Sequence, residues 1–111
     1  MVYVYVALNS NNRIKVGMCN DIAIRQERFT YKAKFNKGMI IQHYIAMPEK
    51  TRLYAQTVEE LLKNDLALNY AVTRTTMDTF KFDPCHFYPA AYIKAFDRKV
   101  AKAEKIAMRG L

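Results

Sequence analysis

The chain has 111 residues, 51% of them hydrophobic, which suits one ordinary domain with a real core and excludes a disordered or purely extended polypeptide. Its 18 Lys+Arg against 10 Asp+Glu give a formal charge of +8, which favours polyanionic partners through counterion release and long-range attraction but says nothing of fold. Three Gly, three Pro and the absence of any repeat or Ser-rich tract leave no linker, so residues 1–111 read as a single domain.

Residues 2–8, VYVYVAL, alternate strictly between β-branched and aromatic or small residues, the pattern of a strand. Val2, Val4 and Val6 fall on one face and Tyr3, Tyr5 and Ala7 on the other. The run Asn9-Ser10-Asn11-Asn12 is a turn, because Asn tolerates left-handed backbone and bonds its own chain, and RIKVGM (13–18) resumes a strand to make an antiparallel hairpin. Asn20 or Asp21 then caps a helix with the body IAIRQERFTYKAKF, ended by Lys37-Gly38. MIIQHYIAM (39–47) reads as a third, buried strand. Pro48 and Glu49 suit the first turn of a long helix over about 49–70, with an apolar stripe through Tyr54, Val58, Leu61 and Leu62. Asp65 falls on that stripe, as a second site carboxylate or as the point where the helix breaks. Residues 74–82 are a short strand or a loop, Pro84 and Pro89 bracket a break, and 90–109 form a last helix closed by Gly110. The order predicts an α+β fold, a small three-stranded antiparallel sheet flanked by helices, with its core over about 1–82 and a basic C-terminal helix over about 90–109.

Cys19 and Cys85 stand far apart and signal no disulfide framework, and Cys85-His86 lacks the second ligand pair that tetrahedral zinc needs. The start MVYVYVAL has no basic n-region and is too short to span a bilayer, so a reduced, cytoplasmic protein without a membrane segment is expected.

The segments MVYVYV, NSNNRIKVG and MCNDIAIR lie in an order that resembles the GIY-YIG nuclease superfamily: a Tyr-rich strand, an Asn-rich turn, a strand ending in Gly17, and Arg25 eight residues later. The segment Ala55-Gln56-Thr57-Val58-Glu59-Glu60-Leu61-Leu62 is similar to the later family helix that carries a metal-binding Glu. Two departures stand out. Either Tyr3 or Tyr5 fits the first family tyrosine, since both project from one face, and Lys15-Val16-Gly17 places Lys where the second tyrosine would stand, as in a largely phage-associated K-I-G branch.

The resemblance implies an endonuclease hydrolysing DNA phosphodiester bonds, with Arg25 on phosphate and Glu59 holding a single Mg²⁺ (or Mn²⁺) ion. It implies that Tyr3 or Tyr5 relays a proton with its pKa lowered by Lys15, Arg25 and the metal, and that Lys15 contacts phosphate. Glu60 is the neighbouring alternative to Glu59. Arg28, Lys32, His43, Lys94, Arg98 and Lys102 are the candidate nucleic-acid contacts, with Tyr44, Lys34 and Lys37 beside them and the last helix as a backbone clamp. Taken without the resemblance, Arg25 pairs with Asp21 on a solvated helix face, and the tyrosines are packing residues. The competing function is a catalytically inactive binding protein of the same fold, a phage-type effector acting on nucleic acid or a host protein in the host cytoplasm. A bare module of this size is expected to rely on nucleic-acid structure, a homodimer or a partner.

Overall fold

A computed structural model of the chain describes residues 1–31, 38–47 and 51–109. Strand β1 (Tyr3–Leu8) and strand β2 (Arg13–Cys19) form the antiparallel hairpin, with Tyr5 opposite Gly17. The turn between them is built by asparagines: the Asn9 side-chain carbonyl accepts from the Asn11 and Arg13 amides at 2.9 and 3.1 Å, and Asn12 takes the left-handed φ of 58°.

Helix α1 (Ile22–Tyr31) starts where the Asp21 carboxylate accepts from the Ile24 amide at 3.0 Å. Its expected continuation to residue 35, with Lys32, Lys34 and Lys37, lies outside the described residues. Strand β3 (Ile40–Ala46) pairs antiparallel with β1 at an outer position of the sheet. The anticipated Pro48-Glu49 helix start and the Gly110 closure also lie outside the described residues. Helix α2 (Arg52–Asn69) is capped by Thr51, whose hydroxyl accepts from the Tyr54 amide at 3.2 Å.

The sheet has five strands rather than three, in the order β3-β1-β2-β5-β4. The extra pair, β4 (Val72–Arg74) and β5 (Thr79–Phe82), is a hairpin in which β5 pairs antiparallel with β2. Its strands are too short for a period of two to show, and its turn contains neither Gly nor Pro. Side chains close it instead: the Thr75 hydroxyl donates to the Thr79 carbonyl at 3.1 Å and the Arg74 guanidinium donates to the Thr76 and Met77 carbonyls. The C-terminal segment likewise departs from one helix. It divides into α3 (Pro89–Lys94) and α4 (Phe96–Arg109) at Ala95, which separates the edge-on contact of Tyr92 with Tyr70 from that of Phe96 with His43.

Strand alternation sorts the apolar residues into two clusters. Val4 and Val6 of β1, Ile14 and Val16 of β2, and Phe80 and Phe82 of β5 meet Val58, Leu62 and Leu66 of α2 with Tyr92, Phe96 and Val100 of α3 and α4. The C-terminal helices therefore belong to the main core, beyond the anticipated limit at residue 82. On the opposite face, Tyr5, Ala7 and Cys19 pack with Phe29 of α1 and with Met39. No helix among the described residues is long and apolar enough to cross a membrane, and Cys19 and Cys85 are free.

Candidate functional site

Strand β5 begins opposite Lys15, so β2 runs on to Cys19 past the end of its neighbour. Asp78, in the turn just before β5, is held there by the Val16 amide, which donates to its carbonyl at 3.2 Å. Charged groups carried by α2, β2 and this turn gather at that point. The buried Lys63 ammonium of α2 donates to Glu59 Oε1 at 2.6 Å and to Asp78 Oδ1, and stands 3.5 Å from Glu60 Oε1. Lys15, 5% exposed, donates to Asp78 Oδ2 at 3.3 Å.

Tyr5 lies against this cluster. Its ring crosses from β1 onto Gly17 of β2, where an added Cβ would stand 2.6 Å from the Tyr5 Oη. No larger residue fits at Gly17 without moving the ring. The phenol is fully buried, and its hydroxyl has no hydrogen-bond partner among the described residues. The parity ambiguity between the tyrosines is thereby reduced by position: Tyr5 feels the charges of Arg25, Asp78 and Glu59, whereas Tyr3 packs edge-on against Tyr44 at 5.7 Å. Burial pushes the Tyr5 phenol above its ordinary pKa, and the nearby Arg25 guanidinium offsets this only in part. That direction is opposite to the lowered value expected of a proton relay.

Arg25 makes no pair with Asp21, whose carboxylate is used in capping; the guanidinium has no ion pair among the described residues. Lys15 was expected to contact phosphate, but it is buried as a counter-ion of Asp78. Burial lowers its pKa, Asp78 opposes the shift, and the like charges of Lys63 and Arg25 reinforce it. Burial would also lower Lys63, but Asp78 and Glu59 outweigh it and hold the ammonium raised. Burial would raise Asp78, but Lys63 and Lys15 hold its carboxyl below the ordinary range.

The structure thus brings Tyr5, Lys15, Arg25 and Glu59 together, and adds Lys63 and Asp78, which sequence reasoning missed. Lys63 lies four residues after Glu59, a spacing that brings the pair to one helix face. Asp78 gave no comparable signal, because its place depends on an unmarked turn. Asp65 belongs elsewhere: α2 continues through it, and its carboxylate accepts from Lys99 at 3.0 Å beside a cavity of about 190 Å³ between α2 and α4.

The candidate nucleic-acid contacts divide between the two faces. Arg28 is exposed on α1, on the Tyr5 side. His43 pairs across the strands with Val6, on the other side, where its Nε2 lies 2.6 Å from Asp97 Oδ1 of α4. Lys94, Arg98 and Lys102 are exposed on α3 and α4, which pack on that same side.

A single Mg²⁺ ion is a hard cation that keeps several waters and uses one or two protein carboxylates. Glu59 and Asp78 supply oxygens of the right kind, so the donor set suits such a water-rich ion. It does not make a protein cage: the described residues contain no group of three His, Cys, Asp or Glu that could hold a metal.

Compared with family models, curated proteins and solved structures, the chain gives no match.

Proposed function

We propose that this protein is a small GIY-YIG-type endonuclease that binds DNA and hydrolyses its phosphodiester bonds at the Tyr5–Arg25–Glu59 cluster. The observation that carries the reading is the buried Tyr5 hydroxyl, which has no partner among the described residues and lies within reach of the charges of Arg25, Asp78 and Glu59. Core packing gives no reason for such a group, since leaving a buried hydroxyl unsatisfied costs about 1–3 kcal/mol. Tyr92 is a second buried phenol without a hydrogen-bond partner among the described residues, but it lies within the aromatic core of Tyr70, Phe87 and Phe96.

Each residue has a task that follows from its surroundings. Arg25 carries a permanent charge and a planar fork, and it is free of ion pairing among the described residues, so it is the group to bind phosphate oxygens. Tyr5 stays protonated at neutral pH, because burial raises its pKa, so it does not act as a base and its hydrogen, without an acceptor among the described residues, is available to a bound group. Lys15 and Lys63 fix the Asp78 carboxylate, and Lys63 also fixes Glu59. Glu59 and Asp78 would hold Mg²⁺, which when bound neutralises charge developing on phosphate and lowers the pKa of a coordinated water.

A second reading, a binding protein of this fold without catalysis, is favoured by the complete burial of Tyr5 and by the engagement of Glu59 with Lys63. Supercoiled plasmid incubated with Mg²⁺ decides between them. The enzyme nicks it, and Arg25→Ala and Glu59→Ala each abolish nicking. Salt-sensitive DNA binding with no cleavage in Mg²⁺ or Mn²⁺ assigns the binding role instead.

A further inference from the structure

The Lys63 ammonium stands at the centre of three carboxylates, 2.6 Å from Glu59, 3.5 Å from Glu60 and in direct contact with Asp78. Its side chain is 1% exposed, the most enclosed of the charged groups here. Burying an ammonium is costly unless surrounding anions compensate, and an amine on a four-carbon stem gains nothing from burial that a shorter apolar side chain would not provide. Lys63 therefore does what a bound cation does: it draws together hard oxygen donors from adjacent residues of α2 and from the β4–β5 turn. Two positive charges cannot share one set of carboxylates at this distance without severe repulsion.

We infer that Lys63 is an internal cation that competes with a divalent ion for Glu59 and Asp78, so that metal binds only when the Lys63 side chain withdraws. The inference rests on the reading of Glu59 as the metal carboxylate. It makes metal affinity a property set by Lys63 rather than by carboxylate count alone. In the absence of metal the same ammonium keeps the buried Glu59 charge paired.

Mn²⁺ titration of the full chain, followed by electron paramagnetic resonance, tests it without reference to cleavage. Lys63→Met is expected to bind Mn²⁺ at least tenfold more tightly than the native protein. The double variant Lys63→Met/Glu59→Gln should lose that gain, and Lys63→Arg should stay weak. Equal or weaker binding by Lys63→Met overturns the inference, as does a gain that survives loss of the Glu59 charge. If Lys63→Met does not fold alone, millimolar MgCl₂ is expected to restore cooperative folding, since a ligand of the native state stabilises it. Failure of Mg²⁺ to restore it counts equally against the inference. A protein that never nicks plasmid but gains Mn²⁺ affinity in Lys63→Met refutes the nuclease reading and leaves this one standing; nicking without that gain does the reverse.

Discussion

At the scale of single residues, Tyr5 and Gly17 form one unit. The ring occupies the space that any Cβ at position 17 would need, with Tyr5 Cζ at 2.7 Å from it as well as the hydroxyl. Gly17→Ala is therefore expected to lower stability by about 1–3 kcal/mol, the usual cost of forcing atoms into a filled core, measured as a shift in the urea midpoint. Tyr5→Phe should behave in the opposite way. It removes a buried hydroxyl without a partner and keeps the edge-on contact with Phe29 at 5.9 Å, so the variant should be at least as stable as the native protein. If it also loses nicking, the hydroxyl is retained for function and against stability. A clear drop in thermal midpoint for Tyr5→Phe would show that the hydroxyl has a structural partner.

At the scale of elements, the hairpin and its helix were legible because each signal was local. Alternation over 2–8, four turn residues at 9–12 and an Asp before an apolar run mark β1, β2 and α1 without any knowledge of the rest. Arg25 and Gly17 could be linked by counting along one short segment. The β4–β5 hairpin could not be seen in this way, since its three- and four-residue strands carry too few positions to show a period. Asp78 was lost with it, and with Asp78 the reason for Lys63. The break at Ala95 had no Gly or Pro to mark it, so the amphipathic pattern of 90–109 read as one helix. The described start of α2 is a hydroxyl cap at Thr51. Thr51→Ala is expected to cost about 0.5–2 kcal/mol in a denaturant titration, with nicking at saturating substrate unchanged, since Thr51 touches none of the clustered charges.

At the scale of the whole molecule, the charge acts in two ways. Long-range attraction is general to a chain of +8, so on the proposed reading affinity for DNA should fall steeply with salt. Arg25→Gln should flatten the slope of log K against log salt by about one, the signature of a lost phosphate contact. Arg98→Gln on the opposite side of the sheet distinguishes a single interface from a wrapped one, because only a wrapped interface flattens the slope again. Acid acts through the cluster. The Asp78 carboxyl is held below its ordinary 3.8, so the stability it contributes is present above that value and is lost as pH falls through the lowered one. Asp78→Asn should therefore show less acid destabilisation below about pH 4 than the native protein, with thermal midpoints across pH 2 to 6 as the measurement.

The bond between Lys15 and Asp78 joins positions 63 residues apart, and the β2–β5 pairing spans a comparable length of chain. The β1–β2 hairpin can close within microseconds from its own residues, whereas β5 must wait until α2 has formed and the chain has turned back on itself. On a ribosome, most of the chain would emerge before Asp78 could reach Lys15. Destabilising the Thr75–Asp78 turn should then slow folding in proportion to how far β5 has docked at the barrier, and leave hairpin formation untouched. The late arrival of Asp78 makes the charge cluster a product of the finished fold, so that an incomplete copy carries the Arg25 helix while Lys63 and Glu59 lack the Asp78 carboxylate.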